Sequence, residues 1–168
     1  MLKVNPRRKS PVANGRFGIV AARYNGRYVN GMLKAARDVL RSAGITDLEV
    51  VRVPGSFEIP LAAAALALAR ATEGRPAAII CLGVIWQGET LHAEHIGGAV
   101  TDALMGIAIE TGVPIIHEVL IVQTAAQAKA RCLDPETNRG TEAAQTALEM
   151  ASLIHRLSKG SKIHPQRA

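Results

Sequence analysis

Four apolar runs punctuate this 168-residue chain, at residues 17–22, 48–53, 77–85 and 115–122, and each is followed by a stretch of helical spacing. That alternation constrains the fold more than any other feature. Strands that alternate with helices predict parallel βαβ units with right-handed crossovers. The runs from Phe17 to Ala22 and from Ala77 to Ile85 are apolar nearly throughout, as strands are when helices cover both faces of their sheet. Between the runs, Met32, Leu33, Ala36, Val39 and Leu40 recur at helical spacing and predict a helix over 29–43, which Gly44 stops. An alanine- and leucine-rich helix is expected over 59–71, a long one over 90–111 broken by Gly112-Val113-Pro114, and a last one over 138–157. Thr124-Ala125-Ala126-Gln127 has the spacing of a capping box and opens a short helix that runs to about Arg131. The expected fold class is α/β, three layers with a central four-stranded parallel sheet and helices on both faces.

Such sheets bind ligands at the carboxyl ends of their strands. That rule gathers four loops on one edge: Tyr24-Asn25, Gly55 to Glu58, Trp86 to Thr90, and the segment after Val122. Length and composition allow one domain with a real core, placed at 16–157 between basic tails at 1–15 and 158–168. The formal charge of +6 belongs to the ends. Residues 1–16 hold five basic side chains and 156–168 hold four, with no acid in either, so residues 17–155 sum to −3. A basic face on the folded body, or aromatics interleaved with charge, would be the mark of a nucleic-acid binder. The tails read instead as solvated or subunit-contacting, and no nucleic-acid partner is expected. No uncharged apolar run reaches 18 residues, so no membrane span is expected. The N-terminal residues lack the apolar segment of a secretory signal. Two cysteines, Cys81 and Cys132, build no cluster and fit a reduced, cytoplasmic setting.

The loop after the third run carries the densest chemistry. Gly88-Glu89-Thr90-Leu91-His92 puts a glycine turn, the amides of a helix start and an imidazole within one helical turn. Helix-start amides bind phosphate, and imidazole moves protons near neutral pH. The plain alternative for His92 is a helix histidine satisfied by a neighbour, but its place at the ligand edge favours function. His95 and Glu94 lie close by, and His92 and His95 share a helix face; no third ligand stands at a recognisable spacing, so no metal is expected. Thr90 is either part of an anion cradle or a plain helix cap. Arg131 either completes that cradle with its guanidinium fork or answers the dipole of its own helix, and spacing does not separate the two. Pro54 to Pro60 either displays Ser56, Phe57 and Glu58 on a fixed loop or starts a helix with Ser56 as cap and Phe57 in the core.

Together the segments Ala22-Arg23-Tyr24-Asn25, Val53-Pro54-Gly55-Ser56-Phe57-Glu58-Ile59-Pro60, Gly88-Glu89-Thr90-Leu91-His92, Gln127-Ala128-Lys129-Ala130-Arg131 and Asn138-Arg139-Gly140-Thr141-Glu142-Ala143-Ala144 resemble the 6,7-dimethyl-8-ribityllumazine synthases of riboflavin biosynthesis. The resemblance spans about residues 16–150. It implies a flavodoxin-like fold and a transferase that joins 5-amino-6-ribitylaminouracil to 3,4-dihydroxy-2-butanone 4-phosphate, releasing phosphate and water, with no cofactor and no metal. It implies His92 as the proton-transfer residue and Glu89, Thr90 and Arg131 as the phosphate grip. It places Tyr24, Asn25, Ser56, Phe57, Glu58, Ile85, Trp86, His117 and Arg139 around the ribityl-pyrimidine. As partners it implies small-molecule substrates, further copies of the chain in a homopentamer, a sixty-subunit icosahedral capsid as in some members, and riboflavin synthase. Tyr24, Ser56, Phe57, Glu58 and His92 would come from one chain, Arg131 and His117 from the next.

The sequence departs from the family pattern around the pyrimidine. Tyr24 stands for a usual phenylalanine or tryptophan, Trp86 for a smaller aliphatic, Gln87 for arginine, Ala93 for an aromatic, Arg139 for lysine, and His117-Glu118 for Phe-Gly. His117 is expected at the ligand edge. A non-catalytic lumazine- or flavin-binding protein on the same scaffold is the main alternative. A flavodoxin-like FMN module is disfavoured, because Arg23-Tyr24-Asn25-Gly26-Arg27 lacks the Ser, Thr and Gly of a phosphate loop after the first strand.

Overall fold

The computed structural model describes residues 15–68 and 74–160. The basic tails up to residue 14 and from residue 161, and the expected end of the second helix at 69–71, lie outside the described residues. Four strands, β1 (Phe17–Ala22), β2 (Leu48–Val53), β3 (Ala78–Trp86) and β4 (Ile115–Val122), alternate with helices α1 (Gly26–Ser42), α2 (Ile59–Leu68), α3 (His92–Thr111), α4 (Ala125–Cys132) and α5 (Arg139–Gly160). The sheet is wholly parallel, in the order β2-β1-β3-β4. This is the flavodoxin-like α/β arrangement. The chain leaves β1 towards β2 and returns on the other side of β1 to lay down β3, so the strand order reverses between β1 and β3. In open sheets of this kind ligands bind outside the carboxyl ends of the strands at such a point.

Two apolar cores sandwich the sheet. Val29, Met32, Ala36 and Leu40 of α1 pack with Ala128 and Cys132 of α4 and with Ala143, Ala144 and Ala147 of α5 over one face. On the other face, Ala63 and Ala67 of α2 and Val100 and Leu104 of α3 cover Val20, Ile79 and Cys81. The central strands β1 and β3 are buried from both sides, which is why their sequences are apolar without alternation. Small residues bring the helices of the first layer to backbone contact. A Cβ on Gly140, at the start of α5, would overlap the Met32 carbonyl of α1. Gly44 and Gly112, with φ of 87° and 68°, end α1 and α3 in the left-handed conformation that glycine adopts without strain. No helix among the described residues is long and apolar enough to cross a membrane.

Candidate active site

The β1–α1 turn is tied to the end of β3. Asn25 has a left-handed backbone, φ 55°, and is the one non-glycine residue with positive φ among the described residues. Asparagine tolerates that conformation, and here both ends of its side chain are used. Its Nδ2 donates to the Val84 carbonyl at 2.7 Å, and its Oδ1 accepts from the Trp86 indole at 3.1 Å. The Trp86 ring meets Tyr28 edge-on, centroids 5.8 Å apart. From the other side, Arg52 of β2 donates to the Ala22 carbonyl and to Asn30 Oδ1. Tyr24, next to this knot, is 76% exposed.

The β2–α2 connection begins with backbone bonds to the same turn: the Arg23 amide donates to the Val53 carbonyl and the Tyr24 amide to that of Pro54. A 3₁₀ turn over Ser56–Glu58 follows, and Glu58 Oε2 accepts from the Gly55 amide at 2.8 Å. Ser56 is buried against β3, where a Cβ on Gly83 would stand 2.6 Å from its hydroxyl. Phe57 points outward, 61% exposed. Of the two readings left open by the sequence, Phe57 in the core is excluded.

The β3–α3 connection carries His92. The helix starts at His92 rather than at Thr90, because the Gln87 side chain reaches the Gly88 and Thr90 carbonyls and holds this turn outside the helix. Thr90 Oγ1 accepts from the His92 amide at a long 3.4 Å. The His95 amide donates to the Leu91 carbonyl, and the amides before it, of Ala93 and Glu94, belong to the first turn, α3's positive end. Glu89, Thr90 and His92 are all exposed. Ile85 is half-buried in the last turn of strand before Trp86.

The remaining predicted residues lie elsewhere on the chain. His117 is the third residue of β4, in register with Cys81, and its Nε2 sits 3.1 Å from Thr101 Oγ1 of α3. It therefore lies five residues, about 16 Å, short of the strand's carboxyl end, not at the ligand edge where the sequence puts it. The reason is that Ile115–Val122 forms one unbroken strand, so a residue near its start is deep along the sheet. Arg131 is exposed on the last turn of α4, in the helix layer opposite α3. Arg139, the first residue of α5, is engaged by carboxylates: its Nε and Nη2 donate to Glu118 of β4 at 3.0 and 2.9 Å, and its Nη1 to Glu142.

Burial drives the titration behaviour of this second region. Desolvation pushes the Glu118 carboxyl above its ordinary range, against the opposing pull of Arg139, and Glu118 in turn raises Arg139. Burial, with a smaller push from Glu118, takes the Cys132 thiol up to about 11, and burial alone raises Cys81. Neither thiol is a nucleophile in that state. A carboxyl whose folded pKa exceeds its unfolded one stabilises the fold below the unfolded value and loses that contribution as pH rises through the folded value. Relative to Glu118→Gln, the native chain is therefore expected to gain stability as pH falls from 7 towards the ordinary carboxylate range, read as denaturation midpoints across pH. A relative loss on acidification would contradict the burial-dominated shift.

Residues 14–155 match the model of the 6,7-dimethyl-8-ribityllumazine synthase family. The chain belongs to that family. Among relatives that carry the same description, a Stenotrophomonas maltophilia protein is 39% identical over 146 residues, 86% of this chain and 92% of the relative. A Xanthomonas campestris pv. campestris protein is 40% identical over 144 residues, covering 84% and 91%, and a Xylella fastidiosa protein 40% over 147, covering 86% and 93%.

Against the family pattern, two departures turn out to be bonded to each other. Glu118 and Arg139, both departures from the expected pattern, grip each other. Spacing does not predict that pair, because its members are 21 residues apart on different elements. Arg52 and Gly83 were also invisible as site residues. Each acts on a turn contributed by another strand, and only the strand order brings them there.

Proposed function

We propose that this chain is a 6,7-dimethyl-8-ribityllumazine synthase, a transferase that condenses 5-amino-6-ribitylaminouracil with 3,4-dihydroxy-2-butanone 4-phosphate. The observation that carries the proposal is His92, exposed at the first residue of α3 beside the reversal of strand order, in a chain of this family. The aryl amine attacks the ketone, the carbinolamine loses water, phosphate departs and the ring closes. Each step relocates a proton, and one imidazole can serve as acid and as base. In this reading the amides at the start of α3, with Thr90, cradle the phosphate, and the exposed Glu89 side chain turns away from it. Phe57 and Trp86 offer flat apolar surfaces to the pyrimidine, with Tyr24, Asn25, Ser56, Glu58 and Ile85 around them.

A second copy of the chain supplies the rest. Arg131 and Arg139 belong to the α1–α4–α5 layer and His92 to the opposite one. What supports a shared site is that separation, together with apolar side chains left exposed on α3 and on the edge strand β4, among them Met105, Ile109 and Ile121. The reading carries a homopentamer with a neighbour's Arg131, Arg139 and His117 facing His92, and a cytoplasmic location, where thiols such as Cys81 and Cys132 stay reduced.

The test is direct. Purified protein mixed with both substrates should produce the lumazine chromophore, followed by absorbance. Binding of the lumazine without its formation would overturn the enzymatic reading.

A further inference from the structure

Arg139 is held by three side-chain hydrogen bonds. Its guanidinium meets Glu118 through two parallel N–H···O bonds and Glu142 through a third. Its backbone is pinned as well. The preceding Asn138 is buried, donates to the Cys132 carbonyl at 2.7 Å and accepts from the Gly140 amide at 2.9 Å. Gly140 itself abuts the backbone of α1 so closely that a Cβ would not fit. Both ends of the side chain are thus fixed, one by the helix corner and one by β4.

Stability is a weak explanation of this arrangement. Glu118 is only 5% exposed on a strand otherwise apolar on that face. A buried ion pair is weak evidence for stability, since well-packed apolar residues often do as well or better. The upward displacement of the Glu118 carboxyl points the same way. What a bidentate fork does supply is orientation.

We infer that Glu118 is a positioning residue, whose buried carboxylate aims the Arg139 guanidinium at a neutral hydrogen-bonding edge of the pyrimidine substrate rather than at phosphate. The inference rests on the lumazine synthase reading and deepens it. Charge decides between the two targets. Two carboxylates already answer the charge of the Arg139 guanidinium, so it offers directed donors rather than a free positive charge to an anion. Each terminal nitrogen of Arg139 keeps one N–H beyond those already used, and the side chain remains a third exposed. An oriented pair of donors without net positive charge suits a carbonyl. Arg131, exposed and within electrostatic reach of Glu118 but in no salt bridge among the described residues, is the cation left for phosphate.

The experiment measures steady-state kinetics of Glu118→Ala and Glu118→Gln with each substrate varied in turn. An unaimed Arg139 should raise KM for the pyrimidine about tenfold, the scale of one charged hydrogen bond, while KM for the butanone phosphate and kcat stay within about threefold. The glutamine variant keeps the shape of the side chain and so covers the case in which the alanine variant fails to fold. A raised KM for the phosphate substrate, a fall in kcat alone, or an unchanged pyrimidine KM in a folded variant would overturn the role of Glu118. A native protein that makes no lumazine would instead sink the underlying reading, and the two failures are told apart by that control.

Discussion

Replacing His92 by alanine is expected to slow turnover by about 10²–10⁴-fold without abolishing it, the range that a single positioned acid–base group contributes. In the proposed reading both partners of the condensation meet at this residue, at the positive end of α3, directly after the turn that displays Glu89 and Thr90. Proton transfer is required in amine attack, in water loss, in phosphate departure and in ring closure, so loss of the imidazole slows each of them. The residue of activity has a different source. Holding an amine and a ketone side by side is worth effective molarities that reach ~10⁵ M or more, and that term needs no imidazole. The variant should fold. The ring is exposed, the His92 bond to Thr90 is made by its backbone amide, and alanine favours a helix. Steady-state rates of lumazine formation, with KM for each substrate, check the expectation. A loss below about tenfold would remove His92 from the chemistry. Total loss in a variant that still binds both substrates would mean that orientation alone does nothing here.

Why so much of this was readable, and some not, follows from the range of the interactions. The strands were legible because a sheet covered on both faces demands apolar residues at consecutive positions, and β1 and β3 supply them. Helix ends were legible where one residue type decides: Gly44 and Gly112 at positive φ, and Thr124 with Gln127, whose reciprocal bonds form the expected capping box. The start of α3 falls within two residues of the expected one, at His92, with the Gln87 side chain bonded to the Thr90 carbonyl just before it. The depth of His117 was misjudged although the apolar run at 115–122 already put it near a strand's start; the ligand-edge expectation did not follow from that run, and the pairing with Cys81 shows its height. Asn25 with Trp86 joins residues 61 apart, and Arg139 with Glu118 joins residues 21 apart. No local pattern encodes such pairs; the strand order does. Arg139 is the instructive case. As a sequence letter it is a free cation near a substrate, whereas in the fold its charge is already answered twice.

Mixing two crippled variants should restore activity that neither has alone. In the shared-site reading, His92→Ala spoils the α3 side of every crevice, and Arg131→Ala spoils the α4 side. A pure oligomer of either carries one defect in each site. The arginine variant should also lose two or more orders of magnitude, because its fork is the side chain free to grip the departing phosphate. When both chains are co-expressed and assemble at random, about a quarter of the sites join a native His92 from one copy to a native Arg131 from its neighbour, as a head-to-tail ring requires. Activity should then rise from about a hundredth of native to about a quarter. The layers that motivate this reading lie in one chain: Ala128 and Cys132 anchor α4 on the α1–α5 face, while Val100 and Leu104 anchor α3 on the other. If both residues served the same site within one chain, co-assembly would leave every site with at least one defect, and the mixture would do no better than the average of its parents. Measured rates of the co-purified oligomer against the two separate variants therefore decide whether the crevice of one copy is completed by the next.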